Sequence, residues 1–108
     1  MGAVDLREDF RLIRKTEGIP QSADFSLVLG DGAMEPLLHQ GQTVYVSCRE
    51  TLREGDVGLF LVDGQVYCRR WCEDYTGALV LLDGAEKDCI YLDREQRKRC
   101  LCLGKVLL

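Results

Sequence analysis

The chain reads as a mainly β domain, with coiled sheets around a small barrel and a short N-terminal helix in front. Short runs rich in valine, leucine and aromatic residues recur from Phe25 to Leu107. Turn signals separate them, above all Asp63-Gly64 and Asp83-Gly84. Many short strands at close spacing are the pattern of barrel-like β folds. An apolar share of 46% in 108 residues fits one globular domain with a core of its own.

The elements follow in order. Leu6, Phe10 and Ile13 are spaced by four and three, which predicts one face of a helix between Asp5 and Lys15. Gly18 and Pro20 then break the chain. Residues 1–24 are therefore expected to form a helix and linker, and residues 25–108 the β domain. Phe25 to Leu29 reads as a strand. Gly30-Asp31-Gly32 bends the chain into a turn over Met34 to His39, expected to be one helical turn. Thr43 to Cys48 carries Val44, Tyr45 and Val46 and is strongly β. Asp56 to Val62 and Gln65 to Cys72 make a hairpin across Asp63-Gly64, a strong two-residue turn. Ala78 to Leu82, Cys89 to Leu92 and Leu101 to Leu107 complete the set, the last broken by Gly104.

Charge narrows the partners. The net charge is −4 and the pI about 4.9. Binding nucleic acid takes a basic patch that displaces counterions from phosphate, so DNA is expected to be touched only through a segment outside this chain. The basic run Arg94 to Arg99 reads as a solvated loop. No apolar run reaches the roughly 18 residues of a membrane span. Asp5, Arg7, Glu8 and Asp9 interrupt the N-terminus, which argues against a signal peptide and for a cytoplasmic, reducing location.

The six cysteines are read as small buried hydrophobes rather than as disulfides or ligands. Cys68 and Cys72 on one strand stand roughly 13 Å apart, too far to share a metal. Cys100 and Cys102 point the same way, which rarely gives disulfide geometry. Cys48 and Cys89 lack a Cys-x-x-Cys partner. Neither a metal nor a cofactor is expected. His39, the one histidine, is a weak catalytic candidate.

One stretch carries the chemistry: Val28-Leu29-Gly30-Asp31-Gly32-Ala33-Met34-Glu35-Pro36-Leu37-Leu38. It resembles the nucleophile motif Gly-Asp-Ser-Met-x-Pro of the LexA, UmuD and phage-repressor peptidase family, a serine–lysine fold related to signal peptidase. Gly41-Gln42-Thr43-Val44-Tyr45-Val46 is similar to the strand after that motif, and Gly55-Asp56-Val57-Gly58-Leu59-Phe60 to the next. Gln65-Val66-Tyr67-Cys68-Arg69-Arg70-Trp71 is similar to the strand that carries the family's general-base lysine. A Gly-Asp pair before a strand is common; three blocks in order, from about Phe25 to Leu108, make the signal.

Matched residue by residue, the resemblance puts Ala33 at the nucleophile position and Arg69 at the base position. A methyl group has no lone pair to attack a carbonyl. Arginine stays charged below a pKa of about 12 and accepts no proton from a hydroxyl, whereas a buried lysine can be neutral. Slipping the match by one residue brings Cys68 or Arg70, neither of them lysine. The resemblance makes Asp31, Gly32, Met34, Glu35 and Pro36 the expected cleft around Ala33.

Family members cut themselves at Ala-Gly or Cys-Gly. Upstream of Phe25 this chain has Gly2 after Met1 and Gly18 after Glu17. The expected function is therefore that of a catalytically inactive regulatory and dimerisation domain of a bacterial or phage-type transcription regulator. Its helix-turn-helix half would lie outside this chain. The last strand, rich in leucine, is the expected homodimer edge. The alternatives are an active serine peptidase using Ser22, Ser26 or Ser47, a peptide-binding module using the former cleft, and a domain with no DNA-binding companion.

Overall fold

The computed structural model describes residues 3–4, 10–12 and 20–108, the first two stretches by their strand pairing alone. Among the described residues nine strands form one antiparallel sheet: β1 (Ala3–Val4), β2 (Phe10–Leu12), β3 (Phe25–Val28), β4 (Thr43–Ser47), β5 (Val57–Val62), β6 (Gln65–Glu73), β7 (Leu79–Leu82), β8 (Cys89–Leu92) and β9 (Cys100–Leu107). The order across the sheet is β2-β3-β4-β9-β5-β6-β7-β8, with β1 added to β6. A 3-10 turn over Gln96–Arg99 is the one helical element among the described residues.

Three expectations are corrected. The predicted helix gives way to strand at Phe10–Leu12, which pairs with β3 through Phe10↔Leu27 and Leu12↔Phe25. Leu6 and Ile13, which suggested a helix face, lie outside the described residues. The barrel is not closed, since β2 and β8 end the order without pairing to each other. The last strand is not an edge at Lys105, where it is paired on both sides. β9 sits between β4 and β5, paired to β4 over 105–107 and to β5 over 100–105.

The middle of the sheet is buried on both faces. In β5, Val57 and Leu59 enter one core with Phe25, Leu27, Leu29, Val44, Val46, Val66 and Val106. Phe60 and Val62 enter a second core with Leu79, Leu81 and Leu92. A strand covered on both sides reads as a continuous apolar run, as Val57-Gly58-Leu59-Phe60-Leu61-Val62 does. Each of these side chains contributes about 1.5–3 kcal/mol when fully buried. β6 shares both cores: Val66 and Cys68 face the first, Tyr67 and Trp71 the second.

The β5–β6 hairpin turns at Asp63 (φ 48) and Gly64 (φ 84), so both central residues take the left-handed conformation that the Asp-Gly signal predicts. The remaining strand bounds hold to within one or two residues, but Gly104 does not break the last strand: β9 runs through it, paired to Leu59. Cysteine burial does not follow the expectation. Cys68 is buried, but Cys48, Cys89 and Cys102 are exposed, and all six are free thiols. Cys48 follows the end of β4 and Cys89 alternates outward in β8, where alternation outranks the preference of the side chain, while Cys102 and its neighbour Leu101 are both exposed in β9. The basic run is solvated and largely paired: Arg97 to Glu73, Lys98 to Glu95 and Arg99 to Asp63.

Candidate functional site

The turn after β3 is built by its own backbone and one carboxylate. Ala33 N–H donates to Asp31 Oδ1 at 3.0 Å, and Glu35 N–H donates to Gly32 O at 3.1 Å. Leu38 N–H donates to Met34 O at 3.0 Å, the one helical turn that the sequence predicts. Met34 and Leu38 are anchors, buried in the first core. Met34, expected in the cleft, is therefore a core residue. Glu35 and Pro36, joined by a cis peptide bond, are exposed on the outer side. Glu35 Oε1 lies 3.2 Å from His39 Nδ1. Asp31, Gly32 and Ala33 are half-buried.

A second loop closes on this turn. Between β7 and β8, Asp83 accepts the Lys87 N–H at 3.0 Å and the Asp88 N–H at 3.3 Å, which holds the loop in shape. Gly84 N–H donates to Ala33 O at 3.0 Å. A Cβ at Gly84 would overlap the Met34 carbonyl and come within 2.6 Å of Glu35 O. This glycine is required by close approach of two backbones, not by a left-handed φ.

Arg69 comes from β6, opposite Gly58 of β5. It is only 6% exposed. Its Nη1 donates to Cys68 O at 2.8 Å, and its guanidinium carbon sits 5.4 Å from the centre of the Tyr67 ring, a cation–π distance. The neighbouring Cys68 thiol is pushed up to about 12, chiefly by burial. The Arg69 charge pulls against that shift and the Asp31 charge adds to it.

The two loops and β6 enclose a cavity of about 340 Å³ lined by Ala33, Arg69, Asp83, Asp88, Cys89 and Ile90. Ala33 and Arg69, matched separately from two sequence blocks, thus face one space. Asp31, Gly32, Glu35 and Pro36 shape the turn behind Ala33 rather than line the cavity. Asp83, Asp88, Cys89 and Ile90 were not foreseen. Asp83-Gly84 was legible as a turn, but nothing local says that it folds onto Ala33. The lining offers a methyl group, a guanidinium, two carboxylates, a thiol and an aliphatic side chain, and no hydroxyl or amine. Ser26 and Ser47 are buried in β3 and β4, and Ser22 lies outside the lining. Among the described residues no group of three or more His, Cys, Asp or Glu could hold a metal ion. No helix there is long and apolar enough to cross a membrane.

A model of the Peptidase S24-like family matches residues 2–107. The chain belongs to that family. The match spans the β-sheet from its first strand to its last, so the S24-like resemblance seen in three short blocks extends over the whole described fold. No curated protein matches the chain.

Proposed function

We propose that this S24-like domain does not cut peptide bonds and acts as a regulatory and assembly domain of a cytoplasmic transcription regulator. One observation carries the reading: Ala33 and Arg69, at the positions matched to nucleophile and base, face the same cavity. Acyl transfer needs a nucleophile with a lone pair and a base that takes its proton. Alanine supplies no lone pair. A guanidinium, charged at any working pH, takes no proton. Both losses fall on one reaction centre, and the fold around it is kept.

DNA contact on this reading belongs to a segment outside the chain, in keeping with the net charge of −4. The assembly is a homodimer through β9. Along Cys100 to Cys102 that strand is paired to β5 alone, because β4 ends at Ser47 opposite Lys105. The open edge can accept a second strand. Leu101, 58% exposed, supplies apolar surface to bury there.

The test is mass spectrometry of the chain after prolonged alkaline incubation, conditions that speed a lysine-based serine peptidase by deprotonating its base. The chain stays intact. Ala33→Ser alone stays intact too, since Arg69 remains. Ala33→Ser with Arg69→Lys and an Ala-Gly pair placed near Gly18 restores cutting. Fragments from the unaltered chain would overturn the reading in favour of another nucleophile.

A further inference from the structure

The stretch of β9 that lies open on one side holds two thiols and one leucine. We infer that Cys100 and Cys102 are the site of a redox-sensitive cross-link between two copies of this chain. The Cys102 sulfur of one copy joins the Cys100 sulfur of the other, so that an oxidant makes the dimer covalent. The inference rests on the homodimer through β9 proposed above and names a modification that regulates it.

The register leads to it. β9 pairs with β5 in an unbroken run over Val62↔Cys100, Leu61↔Leu101 and Phe60↔Cys102, and the bulge comes only after that run. Among the described residues nothing pairs with its other side. A second copy added there about a two-fold axis, the commonest dimer symmetry, runs antiparallel to the first. Only one register then gives all three open residues a partner among the same three. It sets Leu101 against its own copy on the axis, which buries an exposed leucine. On either side of the axis it sets Cys100 against the partner's Cys102. A shift either way puts one thiol against the turn over Gln96–Arg99 or against Leu103, outside the run.

The thiols suit a bridge between chains rather than within one. Opposite residues of an antiparallel ladder have Cα atoms about 4.5–5.5 Å apart, inside the roughly 4.4–6.8 Å that a disulfide spans. Within one chain Cys100 and Cys102 point the same way with Cβ atoms roughly 6.6 Å apart, against about 3.8 Å in a disulfide. Cys102 is exposed and Cys100 half-buried, so an oxidant meets Cys102 first. Burial pushes both thiols up from their usual value, and the Cys102 charge pushes Cys100 further. Both stay protonated at neutral pH, which keeps the pair reduced until an oxidant is in excess. Disulfides of reducing compartments are typically transient and redox-sensing.

With a peroxide as oxidant the electrons balance as follows. The Cys102 thiolate attacks one peroxide oxygen, the O–O bond breaks, and the sulfur becomes a sulfenic acid. The partner's Cys100 thiolate then attacks that sulfur. The S–S bond forms, and hydroxide leaves to take up the proton that the thiol released. Two thiols and one hydrogen peroxide thus give one disulfide and two waters.

The experiment uses the whole chain, with its oligomeric state first read by sedimentation under reducing conditions. Hydrogen peroxide is added, the remaining thiols are blocked, and the products are separated on a non-reducing gel. The wild type gives a covalent dimer, which no longer dissociates on dilution and which a dithiol reverses. Cys48→Ser does the same; Cys48 is the rival, because its charge reaches Cys102. Cys100→Ser and Cys102→Ser alone each give about tenfold less, since their remaining thiols stand two positions apart across the axis, beyond disulfide reach. Mixed in equal amounts, with one of them tagged, the two variants recover roughly half of the wild-type yield, because random pairing makes half of the dimers mixed. Tandem mass spectrometry of the singly linked wild-type peptide reads the same pairing without any substitution. A covalent dimer from either variant alone, a bridge from Cys48 to Cys102 within one chain, or a dimer that stays unlinked overturns the cross-link and leaves the homodimer standing. A wild-type chain that is monomeric under reducing conditions overturns both.

Discussion

Replacing Gly84 by alanine tests the contact that positions Ala33. A methyl group at that position meets the Met34 carbonyl and lies 2.6 Å from Glu35 O, and both neighbours are backbone atoms that no rotamer change can move. Overpacking of this kind costs about 1–3 kcal/mol, and more where the backbone must shift. Moving the loops apart also loses the bond from Gly84 N–H to Ala33 O, worth about 1 kcal/mol. The expected loss is about 3 kcal/mol, or roughly 12–24 °C in Tm for a domain of this size. Gly32→Ala is the control on the other side of the same turn. Its added carbon would meet only the exposed Glu35 side chain, Oε2 at 2.7 Å and Cδ at 3.3 Å. That side chain can swing away, so the cost stays within about 0.5 kcal/mol, as for an ordinary surface change. Urea unfolding followed through the fluorescence of Trp71, which packs on the second core, measures both. If Gly84→Ala lost less than about 1 kcal/mol, or Gly32→Ala lost as much as Gly84→Ala, the two loops would not be locked as described.

Alkaline pH should unfold the domain through Cys68. Its thiol ionises near 9.0 when free and near 12 when folded, so stability is complete below pH 9 and falls between the two values. The slope is about 1.4 kcal/mol per pH unit, and Cys68→Val should flatten it in denaturation curves taken across that range. At acid pH the Asp74 loop should loosen. Asp74 is held below its usual value first by the hydroxyl of Thr76 and then by N–H groups of Ala78 and Thr76, so its contribution is present above the ordinary carboxylate range and fades as pH falls through the lowered value. Amide exchange of Thr76 and Ala78 against pH reads this, and Asp74→Asn should remove the dependence. Leu101→Asp should weaken self-association by at least tenfold in sedimentation, since about 1.4 kcal/mol is one decade. It should leave monomer stability within about 0.5 kcal/mol, as Leu101 is exposed. A monomeric wild-type chain at high concentration would refute the dimer.

Local chemistry explains what the sequence revealed. Asp63-Gly64 has few conformations that join two strands, and the flanking runs were long enough to fix the hairpin and, with it, the place of Arg69 on β6. The apolar run of β5 gave the strand, while its burial on both faces emerged only in the fold. The N-terminal segment misled because Leu6, Phe10 and Ile13 satisfy a helical spacing, while Phe10–Leu12 gains more by hydrogen-bonding to β3. Tertiary pairing overrode a short periodic signal. Closure of the barrel could not be read, because it depends on how far the sheet coils rather than on any residue. Ala33 and Arg69 were found through the order of motifs. Asp83, Asp88, Cys89 and Ile90 were not, because they reach the cavity through a loop docked on a turn about fifty residues earlier in the chain.

The place of β9 governs the order in which the domain can be assembled. β4 and β5 are close in sequence but do not touch as strands; Ser47 and Gly58 both pair with Lys105. Until residues 100–107 arrive, the first sheet half, β2 to β4, and the second, β5 to β8, share no ladder. Their union waits for contacts as far apart in the chain as Val62↔Cys100 on one side and Tyr45↔Leu107 on the other, which are slow to form because a long loop must close first. A ribosome making this chain would carry two unjoined half-sheets with two raw edges, and inserting one strand would close both. A short cut at that end would not trim the periphery of the domain; it would split the sheet in two.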